Sequence, residues 1–255
     1  MKPKPLSVAT LLIIFSLLLT ACNLPSRQAA ESTNPPQEIS TANTPTPTPP
    51  CENQYFPNST GDTWEYSGTN TAIASYTRTD TITASGGDGF TLQTQMAGVT
   101  YSVNYSCTST GLVVSDPVQQ YIGAILQSPD TPVTVKISAV SGTTLPSKIN
   151  PGDTWQQSAD FDASSQDLNL SGRLVFDYLA VGYENITVPF GTYNTLRVDT
   201  TIRVEISGLH ILAGTYSTSA WMAPGVGIVK TEGSSHVTGV DFTDSTQLTR
   251  FTSMP

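Results

Sequence analysis

Two histidines, three cysteines and 20 carboxylates are the groups of this 255-residue chain from which a reactive or metal-binding site could be built. The histidines have no metal spacing. His210 follows Gly208-Leu209 in an apolar stretch, and His236 closes Ser234-Ser235-His236, so neither belongs to a His-x-x-x-His pair. Cys51 and Cys107 lack a Cys-x-x-Cys partner or a nearby His, so no metal and no cofactor is expected. Asp160-Phe161-Asp162-Ala163-Ser164 with Asp167 has the opening of a calcium loop. It carries Ser165 at the Gly position and Ser171 at the closing Glu position, which favours a solvated acidic loop. No Gly-x-Ser-x-Gly elbow occurs, and the Gly clusters fall in hairpin turns rather than before helices. A hydrolase could draw a Ser-His-Asp set or two acids from loops, but no spacing selects them. Trp64, Tyr66, Trp155 and Trp221 could line a ligand surface; each starts or ends a strand, where large aromatics serve the core first.

The remaining cysteine sits in a leader. Lys2 and Lys4 precede a mostly apolar run from Val8 to Leu19, and Leu19-Thr20-Ala21 ends it before Cys22. Charged start, apolar middle and small residues before a cut define a secretory signal over residues 1–21. An uncleaved transmembrane helix competes with this reading. The run is shorter than the roughly 20 residues a bilayer needs, and no comparable segment follows. Leu19-Thr20-Ala21-Cys22 resembles the lipobox of bacterial lipoproteins. That resemblance implies diacylglycerol on the Cys22 thiol, a new N-terminus at Cys22 and a membrane anchor outside the cytoplasm. Asn23, where an Asp would retain the protein, implies the outer membrane if the cell has one.

With Cys22 taken by lipid, Cys51 and Cys107 form an even pair in an oxidising compartment, and a disulfide between them is expected. Cys107 ends a run in which Val99, Tyr101, Val103 and Tyr105 alternate with polar residues, so it shares their apolar face. The bridge would staple the entry at Cys51 onto a sheet. Loss of Lys2 and Lys4 leaves 9 basic residues against 20 acidic ones, a net charge of −11. So acidic a chain is a poor nucleic-acid ligand, because phosphate binding needs clustered Lys and Arg. The same charge disfavours lying flat on an anionic membrane.

The elements that would position any site are strands. Residues 22–50, with Thr44-Pro45-Thr46-Pro47-Thr48-Pro49-Pro50, have little to bury and read as an extended tether, about 3.1 Å per residue. From Cys51 to Pro255 apolar and polar residues alternate. Leu196, Val198, Ile202, Val204 and Ile206 share one face; Arg197, Asp199, Thr201, Arg203 and Glu205 share the other. One dry and one wet face is the antiparallel pattern. Phe90, Leu92, Thr94 and Met96 alternate likewise, as do Val133, Val135, Ile137 and Ala139. One short helix is expected after Asp116-Pro117, with Val118, Tyr121, Ile122 and Ile125 on one side and a stop at Ser128-Pro129. It would plug the end of a sheet or lid a cavity. Gly61-Asp62-Thr63-Trp64 recurs as Gly152-Asp153-Thr154-Trp155, and the parts that follow keep their order. The expected fold is therefore all-β over residues 51–255: a duplicated antiparallel unit, halves near 51–145 and 146–255, curved into a sandwich or incomplete barrel.

Gly152-Asp153-Thr154-Trp155, then Val188-Pro189-Phe190-Gly191-Thr192-Tyr193, then Trp221-Met222-Ala223-Pro224-Gly225-Val226-Gly227-Ile228-Val229-Lys230, resemble bacterial envelope proteins and lipoproteins. Those carry a GxxW, PxGxY/F, W, PGVGxVK pattern on antiparallel β-domains. The match is close in the second half and weak in residues 56–114, where Tyr105 stands in place of Trp221. It implies the fold and no reaction. The expectation is a membrane-anchored, non-catalytic lipoprotein whose curved sheet binds an apolar ligand or an envelope protein. A hydrolase of envelope or environmental polymer and a structural spacer are the alternatives.

Overall fold

A computed structural model describes residues 51–71, 74–119, 134–164, 169–207, 211–237 and 240–254. The leader and tether, Cys22 included, lie outside the described residues, as do Tyr121, Ile122, Ile125 and His210. The described chain is nearly all strand: β1 (Thr63–Asn70), β2 (Ala74–Gly86), β3 (Gly89–Met96), β4 (Val99–Thr108), β5 (Gly111–Val114), β6 (Thr134–Gly142), β7 (Leu145–Pro146), β8 (Thr154–Ser164), β9 (Asn169–Val188), β10 (Gly191–Ile206), β11 (Ile211–Ala223), β12 (Gly227–Val237) and β13 (Val240–Thr252). All pairings are antiparallel and form one 13-stranded sheet, in the order β6-β8-β9-β10-β11-β12-β13-β1-β2-β3-β4-β5-β7. Strands β1–β5 and β8–β12 are thus two successive meanders, and β13 joins β12 to β1.

Closure of the sheet follows from its two ends. β6 pairs with β8 at one end of the order and β7 pairs with β5 at the other, yet only Thr143 and Thr144 separate β6 from β7. The segment Thr134–Pro146 therefore ties both edges together and makes an incomplete barrel. A polar clasp holds the joint. Thr144 Oγ1 accepts from Val114 N–H (2.8 Å) and donates to Gln157 Oε1 (2.9 Å), while Gln157 Nε2 donates to Val114 C=O (3.1 Å). Gln157 is fully buried there, and the Trp155 indole donates to Thr144 C=O (3.1 Å). A buried amide is tolerated because its groups are met.

Both Gly-Asp-Thr-Trp stretches make the same turn. Gly61 N–H donates to Ile82 C=O and Ile82 N–H to Asp62 C=O (2.8 and 2.9 Å); Gly152 and Ala180 do the same with Asp153 (2.7 and 2.9 Å). Each Asp carboxylate accepts the backbone N–H three residues earlier, from Ser59 at 3.0 Å and Asn150 at 2.7 Å. Each glycine needs a left-handed backbone, φ +96° at Gly61 and +91° at Gly152, which a Cβ disfavours.

The dry face is packed. Trp64, Tyr66, Phe90, Tyr105, Phe176 and Tyr178 are buried there, Trp155 packs partly buried against the core, and Trp221 is buried from the other face. The aromatics expected either in the core or on a ligand surface thus serve packing. Asp116 caps a helical turn at 117–119, its Oδ1 accepting Gln119 N–H at 2.8 Å, and Val118 is buried in the core. The rest of this expected helix lies outside the described residues. One charged pair lies on the buried face: Arg78 grips Asp80 with both Nε and an Nη and lies 5.0 Å over the Tyr66 ring. Thr94 adds a 2.8 Å hydrogen bond to Asp80. The mutual contacts compensate burial, and removing one partner would strand the other. Two expectations shift locally. A bulge between Ile137 and Ala139 breaks the single register of that strand. Asp160 and Asp162 lie on β8 and not in a loop, because they pair across the ladder with Arg173 and Ser171.

Asp62 is 1% exposed and also accepts Met254 N–H at 2.8 Å, whereas Asp153 is exposed. Asp62→Ala is therefore expected to cost about 2–3 kcal/mol and Asp153→Ala about 1 or less, read from denaturant midpoints at unchanged m. Equal losses would contradict the assignment. Gln157→Ala should cost about 2–3 kcal/mol by leaving Val114 C=O and Thr144 without partners, while Gln156→Ala, on the wet face beside it, stays within about 0.5 kcal/mol.

Candidate functional site

The wet face of β10, β11, β12, β13 and β1 forms an open trough of about 800 Å³. Period-2 alternation brings the outward side chains of consecutive strands into rows. Thr201 pairs with Ser217, Ser217 with Ser234 and Ser234 with Thr243, one row of four hydroxyls. The next row runs Asp199, Ser219, Glu232, Ser245, Thr69. Thr201, Ser217, Ser234, Ser245 and Thr69 donate no side-chain hydrogen bond among the described residues.

The charged groups of the trough are held by one another. Arg197 donates Nε to Asp199 Oδ1 (2.8 Å) and an Nη to Oδ2 (3.0 Å), and Ser219 donates to the same Oδ1 (2.7 Å). These contacts, the Asp199 hydrogen bonds first, push the guanidinium pKa further up. Glu232 pairs with Lys230 at 2.7 Å, while Asp244, between the wet-face Thr243 and Ser245, turns to the opposite face and accepts the Tyr76 hydroxyl at 2.6 Å. In the adjoining row Trp221 is 5% exposed although it lies on the wet face. Arg197 (5.5 Å) and Lys230 (4.6 Å) cover its ring, and its indole donates to Glu184 Oε2 at 2.8 Å. Beyond β10, Leu179 stands directly across the ladder from Asp199 and is 42% exposed, as is Val181. The trough thus has a hydroxylated floor, paired charges and an apolar flank.

Of the residues singled out in the sequence, Cys51 and Cys107 are bonded, with Cα atoms 4.8 Å apart. The bridge begins a strap. Gln54 C=O accepts Gly225 N–H (2.7 Å), Asn53 Nδ2 donates to Pro146 C=O (3.0 Å), and Phe56 packs on Phe90 and Tyr105 at 5.2 Å. Tyr55 is 2% exposed; burial and a hydrogen bond with Tyr183 push its phenol up to about 12. Asp160 is bound by Arg173, which holds its carboxyl below the usual range. Among the described residues no three His, Cys, Asp or Glu side chains gather to hold a metal. His236 lies on β12. The Arg197–Asp199–Ser219 network and the Gln157 clasp escaped the sequence reading. Their residues were visible as wet-face or polar positions, but only strand order and register bring Ser219 to Asp199 and Gln157 to Val114.

The fold recurs in solved structures of low identity. A protein of Bacteroides fragilis described as exported, with a YmcC-like fold, aligns at 14% identity and TM-score 0.51, over 79% of this chain and 100% of its own. A protein of Parabacteroides distasonis described as a lipoprotein aligns at 16% identity and TM-score 0.52, over 79% of this chain and 99% of its own. No curated protein matches the chain. The DUF3108-like family matches residues 91–237, from β3 to the end of β12 and more than half of the sequence. The chain therefore belongs to the DUF3108-like family.

Proposed function

We propose that the chain is an extracytoplasmic lipoprotein, anchored through lipid on Cys22, whose β-body is a non-catalytic binding module for an envelope partner. The leader and lipobox supply the address, and the Cys51–Cys107 disulfide fits an oxidising compartment. The described relatives of the same fold, one exported and one a lipoprotein, accord with it. Residues 22–50 act as the tether that holds the body off the membrane, and Asn23 favours the outer membrane in a cell that has one. The two Gly-Asp-Thr-Trp turns, with the same hydrogen bonds, support a duplicated unit within residues 51–255.

The observation that carries the binding reading is the trough. Its wet-face carboxylates, Asp199 and Glu232, are each engaged by a neighbouring donor, an arrangement that presents a stable surface rather than a poised acid or base. The packed dry face favours a partner on the wet face over an apolar ligand held inside. A hydrolase would need one of those carboxylates released, and a spacer would need no trough.

Cys22→Ala is expected to abolish labelling by radioactive fatty acid and to move the protein from the membrane to the soluble envelope fraction; labelling that persists would overturn the anchor. Native mass spectrometry of protein purified from its own envelope should show a companion at defined stoichiometry. Bare protein that degrades glycan, and loses this with Asp199→Asn, would establish the hydrolase instead.

A further inference from the structure

Resting on the binding-module reading, we propose that the occupant of the trough is an uncharged, polyhydroxylated chain, a neutral polysaccharide. Three observations converge on that chemistry. The first is charge. The two cations at the trough, Arg197 and Lys230, are each engaged by a carboxylate, Asp199 and Glu232, so it offers a polyanion no unpaired cation. The whole chain carries a formal charge of −9, which repels polyanions at a distance.

The second is the hydroxyl lattice. Thr201, Ser217, Ser234 and Thr243 stand on four consecutive strands, spaced about 4.8 Å apart across the ladder. The parallel row through Ser219 and Ser245 lies about 6.8 Å along the strands. Each hydroxyl is one donor and two acceptors and matches a ligand that presents alternating hydroxyls along its length. Asp199, held rigid by Arg197 and Ser219, adds a fixed acceptor at one end of its row.

The third is the apolar flank. Leu179 and Val181 are among the few large apolar side chains left exposed on the described surface, and Leu179 directly faces Asp199 across the β9–β10 ladder. A sugar ring has a hydroxyl rim and C–H faces, so it needs both kinds of wall; a soluble polar peptide does not select for them together.

The test is native affinity electrophoresis of the mature full-length chain in non-ionic detergent. The gels contain mixed-linkage β-glucan, mannan or dextran as neutral probes, with polygalacturonate as the charged control. At least one neutral polymer should retard the protein, unlike the polyanion. The triple variant Thr201→Val, Ser217→Ala, Ser234→Ala should lose about tenfold or more of that affinity at an unchanged melting midpoint. Leu179→Asn should weaken it separately. Retardation by no neutral polymer, equal retardation by the polyanion, or an unaffected triple variant would each overturn the proposal. A separate readout distinguishes its failure from that of the binding reading. If Ser217→Cys cross-links to an envelope protein, the polysaccharide falls and the module stands; if neither polymer nor protein engages the trough, both fall.

Discussion

An antiparallel sheet with one dry face must cover that face, and here the sheet does so by curling until its ends meet. The join is a single crossing segment, Thr134–Pro146, hydrogen-bonded to β8 through β6 and to β5 through β7. The Gln157–Thr144–Val114 clasp sits at that crossing. Every buried aromatic on the dry face depends on this closure, because an open sheet would leave the same residues in water. The clasp is polar because the crossing strand leaves one ladder for another at Thr143–Thr144, and the backbone groups freed there must find partners.

The strap from Cys51 to Phe56 secures a second boundary. Its disulfide joins the entry of the body to β4, and its backbone reaches the β11–β12 turn through Gly225. Phe56 lies on the aromatic cluster of Trp64, Phe90 and Tyr105, and Tyr55 is buried in the core. A covalent link that closes 56 residues of chain limits the unfolded ensemble and contributes about 2–4 kcal/mol by the chain-entropy account. The strap is short and would otherwise fray, since few of its contacts are ladder hydrogen bonds.

The wet face is arranged by a different balance. Charged residues are scarce, 12% of the chain, and those on β9–β12 are paired rather than scattered, along one strand as Arg197–Asp199 and Lys230–Glu232 or across the ladder as Arg197–Glu184 and Arg203–Asp177. Such exposed pairs contribute little to stability individually. Their consequence is that the cations Arg197, Arg203 and Lys230 are each engaged by a carboxylate, and this, with the hydroxyl rows between the pairs, gives the trough its chemical character. Trp221 shows how far the pairing goes: two cations cover a ring that would otherwise be an exposed apolar spot.

Period-2 alternation was enough to read the strands, because the face a residue takes is settled by its immediate neighbours. Leu196 to Ile206, Phe90 to Met96 and the apolar face ending at Cys107 were legible for that reason. The turns at Gly61 and Gly152 were legible because a left-handed backbone leaves a glycine in the sequence. The Asp116 cap was visible as a local signal, and Cys107 was visible as a partner for Cys51. The pairing of Arg197 with Asp199 is also local, two residues along one strand. What alternation could not supply was the identity of each strand's neighbour. Thr201, Ser217, Ser234 and Thr243 are spread over 43 positions, and register alone aligns them into one row. Likewise Gln157 meets Val114 only because the crossing segment brings β8 and β5 together. The sequence by itself determined the strands, their dry and wet faces and the cysteine pair, through interactions between near neighbours. Which wet side chains share a trough was decided only by the tertiary fold, because strand order and register depend on packing the whole dry face at once.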